Sequence, residues 1–500
     1  MQPVIAQALE RLFEGMPVTI KGDARLTITS LATDSRQVRP GALFFCLRGE
    51  RADGHAFAQA ALDAGALGIV ADHDLCAASA TRVIVADPLA ALSKVAARFY
   101  GDPSSSLTMV GVTGTNGKTT TTYFIEAIAR AAGESFGVIG TLGARLGQTP
   151  VEDLANTTPF AHDVQRLLAG FRDAGARGAV LEVSSHALDL HRVDDVKFDV
   201  AVLTNLTQDH LDFHRSFDDY RAAKRKLFAA SMGKGGARPV AVLNLDDAEG
   251  RALARSLQSE RQARCLTYGV NNRDALIDAT DVTMGPSGSR FWVRGLRPAP
   301  FTVRLPGAFN VANAISALAT ATALDIDVEA IAEGLESLEE VPGRMIAIPA
   351  GEVAVYIDYA HTPDGMEQIL RAARALTKGR IVCVFGCGGN RDASKRPAMG
   401  RIAQELADYV ILTTDNPRHE EPKAIIDDIL AGMDAGAGRH EVVVDRTAAI
   451  ARAVELARAS DSVVIAGKGH ENYQIFGDER RPFSDAIAAR AAIAKKEAVR

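Results

Sequence analysis

Seven residues from Gly114 to Thr120, Gly114-Thr115-Asn116-Gly117-Lys118-Thr119-Thr120, are of the types that hold phosphate. Glycines let backbone N–H groups approach anionic oxygens closely. A lysine can reach a terminal phosphate, and a threonine hydroxyl can ligate a divalent ion. Apolar residues precede the loop as a buried strand would, and a helix reads from Lys118 onward, so its N-terminus adds unpaired donors and a favourable dipole. The match to the general phosphate-loop pattern is imperfect. That pattern wants glycine at 112, where Val112 stands, with Gly111 one place early. Kinases, GTPases and motors share such loops, so the loop names a ligand and no reaction.

Other groups gather where strands end. Glu182 closes the apolar run "GAVLE", and a carboxylate there is costly without a partner, for which Mg²⁺ is one candidate. Asn205, Asp209, His210 and His214 follow a second such run. A lone histidine at that place is more often structural, whereas several polar groups after a strand form a site pattern. "YRAAKRKLF" carries Lys224 among other basic residues on a helix, which taken singly reads as a solvated face. Near the C-terminus stand Arg391, the tetrad Asp415-Asn416-Pro417-Arg418, and Gly467 with Glu471. Out of context, Asn-Pro reads as a surface turn.

The elements that must position these groups alternate between strand and helix. "LTMVGVTG", "SFGVIGT", "GAVLEVSS", "VAVLTNLT" and "PVAVLNLDD" are nearly continuous in branched aliphatics, as strands buried on both faces of a parallel sheet are. The pattern restarts in "VAVYIDYA", "RIVCVFGC", "ADYVILTTD", "HEVVVDR" and "DSVVIAGKG". Turn-rich segments at Gly101–Ser106 and Glu339–Met345 mark boundaries. The fold class is therefore α/β in three domains: 1–103, an N-terminal α/β domain; 104–341, a central phosphate-loop domain with a parallel sheet; 342–500, a Rossmann-like domain whose ligands sit at strand C-termini.

Bulk properties set limits. Five hundred residues exceed one hydrophobic core. A net charge of -6 argues against a nucleic-acid or anionic-membrane surface. The five cysteines, Cys46, Cys76, Cys265, Cys383 and Cys387, form no CxxC pair, which suits a reducing compartment. Met1–Glu10 lack a secretory signal pattern and no run is long enough to span a bilayer, so a cytoplasmic location without membrane insertion is expected. A monomer is expected.

"GVTGTNGKTT", "NTTP", "EVSSHAL", "NLTQDHLDFH", "YRAAKRKLF", "GAFNVANAISALA" and "DYAHTPDG" occur in this order across nearly the whole chain. The ordered set resembles the Mur ligases, ATP-dependent enzymes that build the peptidoglycan stem peptide. The resemblance implies that Gly114 to Thr120 hold ATP, with Lys118 and Thr119 on its phosphates and Mg²⁺. It implies that Glu182, His210 and Lys224 serve the metal and the chemistry, with Lys224 carbamylated by CO₂ into a carboxylate-like ligand. Asn310, Arg344 and Asp358 match positions that contact the nucleotide.

The N-terminal stretch from Leu31 to Gly54 resembles the uridine-binding domain of the branch that extends UDP-N-acetylmuramoyl-L-alanyl-D-glutamate. On that likeness Thr33, Ser35, Glu50, Arg51 and Ala52 contact UDP, and Asn156, Thr157, Thr158, Ser184, Leu190 and Arg192 hold the muramoyl dipeptide. Leu190 stands where some relatives carry Gln, which removes one substrate hydrogen bond. Arg391, Asp415, Asn416, Pro417, Arg418, Gly467 and Glu471 resemble the signature for meso-diaminopimelate, and lysine-adding relatives usually lack the last arginine of the tetrad. The chemistry agrees: diaminopimelate differs from lysine chiefly by a distal carboxylate, which arginine grips with a two-pronged fork. The implied reaction activates the D-glutamyl carboxylate as an acyl phosphate that the amine then attacks. Three alternatives stay open: a lysine-adding ligase of the same family; folylpolyglutamate synthetase, which lacks the uridine domain; and a regulatory ATPase, for which the C-terminal set is surplus.

Overall fold

The computed structural model describes residues 5–49, 52–75, 80–210, 213–236, 238–259, 264–285, 287–434, 436 and 439–498; Glu50, Arg51 and Cys76 lie outside them. Three sheets follow one another along the chain. The first has five strands in the order Thr19–Lys21, Thr81–Ile84, Gly68–Ala71, Ala42–Phe45, Ser30–Ala32, parallel except at the Thr19–Lys21 edge. Leu43, Phe45, Val70 and Val83 pack on Leu92, Val95 and Phe99 of helix Pro88–Phe99. That helix begins where it does because Asp87 accepts hydrogen bonds from Leu89 N and Ala90 N and Pro88 occupies the first turn.

The second sheet has eleven strands. Its parallel run is Phe136–Gly140, Gly178–Glu182, Thr108–Thr113, Val200–Leu203, Val240–Asn244, Cys265–Val270, Ile277–Gly285. Helices Lys118–Ala131, Ala308–Ala323 and Val328–Ser337 bury Phe124, Ile128, Ile315, Leu318 and Leu335 on one face. Helices Ala161–Asp173 and Ala248–Ser259 bury Leu168, Phe171 and Leu253 on the other. The sheet is mixed rather than purely parallel. Gly143–Leu146 and Thr149–Glu152 add an antiparallel edge, and Gly288–Val293 and Phe301–Val303 add another. Gly288–Val293 alternates between buried and more exposed residues and Thr149–Glu152 is exposed throughout, so these flanks lack the continuous apolar runs that mark the parallel core.

The third sheet runs Ile346–Ala350, Val353–Asp358, Ser462–Ala466, Ile381–Phe385, Tyr409–Leu412, His440–Val442, with only the first strand antiparallel. Helices Pro363–Leu376, Lys395–Leu406 and Pro422–Leu430 cover one face, and Arg446–Leu456 and Asp485–Ala498 the other. This doubly wound arrangement directs the loops at the strand C-termini toward the rest of the molecule. Among the described residues no helix is long and apolar enough to cross a membrane.

Candidate active site

Strand Thr108–Thr113 lies at the middle of the large sheet and delivers the chain into the glycine loop. Gly114 has φ 147°, and a Cβ there would lie 1.9 Å from Thr204 Oγ1; Gly117 has φ 85°, and a Cβ would lie 2.3 Å from Asn313 Oδ1. Both glycines are thus required by backbone angle and by space. Gly111 and Val112 instead sit inside the strand before the loop begins, Gly111 against the Phe198 ring and Val112 in the buried core. Asn205 clamps the loop: its Oδ1 accepts from Asn116 N at 2.9 Å, its carbonyl accepts from Thr115 N at 2.9 Å, and its Nδ2 donates to Asn116 O at 3.1 Å. Thr204 and Tyr220, which the sequence did not single out, complete the clamp. Thr204 Oγ1 donates to Asn116 O at 2.6 Å, and Tyr220 Oη lies 3.0 Å from Thr115 Oγ1.

Two lysines converge on this loop. Lys118 Nζ donates to Gly114 O and Thr115 O, both at 2.9 Å, and Lys224 Nζ donates to Gly114 O at 2.9 Å. Burial pushes both ammonium groups below their ordinary range, and the Lys118 charge pushes Lys224 further. Lys224 is 3% exposed and lies 4.6 Å from the Tyr220 ring centre. Glu182 is 1% exposed and accepts from Thr119 Oγ1, Thr141 Oγ1 and Thr141 N, each at 3.0 Å. Thr120 is buried in the first helical turn. His210 has φ 56°, and its Nε2 lies 3.3 Å from Asp209 Oδ2. Burial pushes its imidazole well down, leaving it neutral at neutral pH. His186, unassigned from sequence, stands edge-on to His210 with ring centres 4.9 Å apart.

The third unit reaches this centre. Arg344 Nη2 donates to Thr119 Oγ1 at 3.0 Å, and its guanidinium lies 4.8 Å from the Tyr359 ring centre. Asn116 Nδ2 donates to Asp364 Oδ2 at 2.6 Å. Asp358 accepts from Met345 N and Ala360 N, and burial pushes its carboxyl up. Asn310 is 1% exposed and donates to Pro306 O at 2.8 Å while accepting from Asn313 Nδ2 at 3.2 Å. Asn310 and Asp358 therefore hold backbone and neighbours around the loop.

A cavity of about 1940 Å³ opens beside Thr141, His186 and His210 and takes its walls from all three units; its lining includes none of Gly114 to Thr120, Glu182 or Lys224. Thr33, Ser35 and Ala52 line it from the first; Ser35 opens a short helical turn capped by Asp34. Asn156, Thr157, Thr158, Ser184, Leu190 and Arg192 line it from the second. Thr158 Oγ1 donates to Glu182 O at 2.7 Å and accepts from Ser184 N at 3.1 Å, and Arg192 Nη1 donates to Thr158 O at 2.7 Å. Thr141 links Glu182 to Thr157, with the two hydroxyls 3.1 Å apart.

Arg391, Asp415, Asn416, Arg418, Gly467 and Glu471 line the third wall, while Pro417 supports the loop from behind, its carbonyl against Gly389. Asn416 Oδ1 accepts from Lys468 Nζ at 2.9 Å and Ile475 N at 3.1 Å, and its Nδ2 donates to Glu471 Oε2 at 2.8 Å. Lys468, fully buried, also donates to Glu471 Oε2 at 2.8 Å. It stands 3.8 Å from Asp415 Oδ1, which leaves Asp415 the less engaged of the two carboxylates. Lys468 is a residue the sequence reading quoted without a role. Arg418 has φ 53°, is tied by its N–H to Ile475 O at 3.0 Å, and donates from Nη1 to Gly389 O at 2.8 Å. Burial, with the charge of Arg391 added, pushes Arg418 down. Among the described residues neither arginine makes an ion pair. Two neighbouring cations, with Asp415 and Glu471 near Arg418 but not paired to it, suit a binding wall for a ligand that carries a carboxylate.

Comparison with known proteins finds three family matches along the chain. Residues 27–100 match the model for the Mur ligase family, catalytic domain; residues 112–321 match the Mur ligase middle domain; residues 343–469 match the Mur ligase glutamate ligase domain. A UDP-N-acetylmuramoyl-L-alanyl-D-glutamate–2,6-diaminopimelate ligase of Syntrophomonas wolfei is 45% identical over 462 residues, covering 92% of this chain and 93% of that protein. One of the same description from Gloeobacter violaceus is 45% identical over 477 residues, covering 94% and 95%. A solved structure with that description is 34% identical, covers 98% of this chain and 99% of its own, and superposes with a TM-score of 0.67.

Proposed function

The chain belongs to the Mur ligase family, and from that premise we propose that it joins an amine of meso-diaminopimelate to the D-glutamyl side-chain carboxylate of UDP-N-acetylmuramoyl-L-alanyl-D-glutamate in peptidoglycan precursor synthesis. It is an ATP-dependent ligase that forms an amide bond. We assign the uridine nucleotide to residues 1–103, ATP to 104–341 and the amino acid to 342–500. We place the protein in the cytoplasm as a monomer.

The observation that carries the acceptor assignment is the pair Arg391 and Arg418, side by side on the cleft without an ion-pair partner among the described residues. A distal carboxylate satisfies both; lysine would leave them facing a methylene. Asp415 is left to meet the distal ammonium, because Glu471 is already held by Lys468 and Asn416. Arg418 counts against the lysine-adding alternative.

In the proposed mechanism the γ-phosphoryl passes from ATP to the carboxylate, breaking the β–γ bridge and leaving ADP. The amine then adds to the acyl carbon, loses a proton, and phosphate departs. Lys118 binds the terminal phosphate and offsets the charge that spreads during transfer. Thr119, Glu182, His210 and Lys224 would hold Mg²⁺, and they fit it: a buried carboxylate with neutral partners, a neutral imidazole and a hydroxyl. Mg²⁺, when bound, neutralises phosphate oxygens. Lys224 as an ammonium would repel such an ion. Burial favours its neutral amine, which forms a carbamate by attacking CO₂ and releasing a proton. Walls from three units let closure exclude water that would hydrolyse the acyl phosphate.

The test is product analysis by mass spectrometry after incubation with Mg·ATP, the UDP-dipeptide and equal diaminopimelate and L-lysine. The diaminopimelate adduct is expected, with one ADP formed per adduct. Comparable lysine adduct would restore the lysine-adding reading, and ATP hydrolysis without adduct would remove the ligase assignment.

A further inference from the structure

His55, Asp72 and His73 meet outside the reacting centre, at the end of strand Gly68–Ala71 and behind the loop that carries Ala52. One ligand atom from each falls within 4.8 Å of the others. His55 is packed there because the chain doubles back at Gly54, whose N–H donates to Leu47 O at 2.8 Å and whose Cβ position is closed by the Leu47 backbone at 2.6 Å. The His55 side chain is 7% exposed.

An unsatisfied ring nitrogen sets this cluster apart. His55 Nδ1 lies 2.5 Å from Asp53 Oδ1, and a carboxylate only accepts, so Nδ1 carries the proton. His55 Nε2 lies 3.1 Å from Asp72 Oδ1 in a direction that makes no hydrogen bond, and among the described residues it has no hydrogen-bond partner. A buried ring nitrogen without a hydrogen bond among the described residues thus faces a half-buried carboxylate oxygen. His73 Nδ1 approaches the same oxygen at 2.5 Å, and the two imidazoles stack with centres 4.8 Å apart. Arg48 occupies the other oxygen, with Nε to Asp72 Oδ2 at 3.0 Å, which leaves Oδ1 to the histidines.

We propose that His55 Nε2, Asp72 and His73 bind a divalent transition-metal ion of the Zn²⁺ class. Two imidazoles and one carboxylate are Zn²⁺ ligands rather than the all-oxygen sets of Ca²⁺ or Mg²⁺. Tetrahedral bonds of about 2.0–2.1 Å put ligand atoms roughly 3.3 Å apart, a separation reached here by small side-chain rotations. His73 is half-exposed, which leaves a fourth position open to water. Asp53 on Nδ1 is the outer carboxylate that fixes the tautomer of a metal-binding histidine. The ion would pin the segment that brings Arg48, Ala52 and Gly54 to the cleft wall.

The test uses tag-free full-length protein stripped with chelator, titrated with Zn²⁺ against a chromophoric competitor, with Co²⁺ absorption as a second readout. All measurements are made in a His210→Ala background, so that the other histidine cluster does not contribute. One ion per chain is expected, with binding lost in Asp72→Asn and in His73→Ala, whose exposed site spares the core. Asp53→Asn is expected to weaken binding about tenfold or more. No stoichiometric Zn²⁺, no tetrahedral Co²⁺ spectrum, or an affinity unchanged by His73→Ala overturns the site.

Discussion

Lys224 is the residue whose charge state decides most about the chemistry. Read as a helix-face lysine it is a solvated cation; in the structure it is buried, aimed at the Gly114 carbonyl, and beside a second buried lysine. Burial and like charge both favour the neutral amine. Lys224→Arg keeps a cation that cannot be carbamylated, and kcat is expected to fall by about 10²-fold or more while the circular dichroism spectrum is retained. Wild-type activity is expected to drop in CO₂-free buffer and return with bicarbonate. An active Lys224→Arg enzyme, or indifference to bicarbonate, counts against the carbamate.

At the scale of elements, the last helix depends on one buried pair. Arg446, at the start of helix Arg446–Leu456, donates to both oxygens of Asp485 at 2.7 and 2.8 Å, and neither side chain is exposed. Arg446 also donates to Ala466 O, at the end of a strand that leads to Gly467 and Lys468. Arg446→Met leaves Asp485 buried and alone, and urea denaturation is expected to show a loss of about 3–5 kcal/mol. A loss below about 1 kcal/mol would mean that the pair is dispensable. Sequence exposed this level unevenly. Parallel strands were legible because burial on both faces writes continuous apolar runs, and the glycine loop because its angles admit little else. The antiparallel flanks escaped because a half-exposed strand such as Gly288–Val293 mixes polar and apolar residues as a loop does. Thr204, Tyr220, His186 and Lys468 escaped because their roles arise from contacts between distant segments, as in Tyr220 with Thr115.

The whole molecule places one cleft between three units, and its junction carries a pH sensitivity. Burial holds His361 and His470 down from 6.5 to about 4 each. Between those values the unfolded chain takes up protons that the folded chain refuses. Stability is therefore full above about 6.5 and falls as pH drops toward 4, by up to about 3 kcal/mol per histidine. The melting temperature is expected to follow that window, and His470→Phe, which keeps a ring against Tyr359, to flatten it. An unchanged slope would place the sensitivity elsewhere.

The central claim is that one cleft joins an activated carboxylate to an amine chosen for its distal carboxylate. Its most direct test is the ratio of kcat/KM for meso-diaminopimelate to that for L-lysine, followed by ADP release, in the wild type and in Arg418→Ala. A ratio of roughly 10⁴ or more is expected in the wild type, collapsing by at least about 10²-fold in the variant. Equal use of lysine by the wild type, or a ratio that Arg418→Ala leaves untouched, would contradict it.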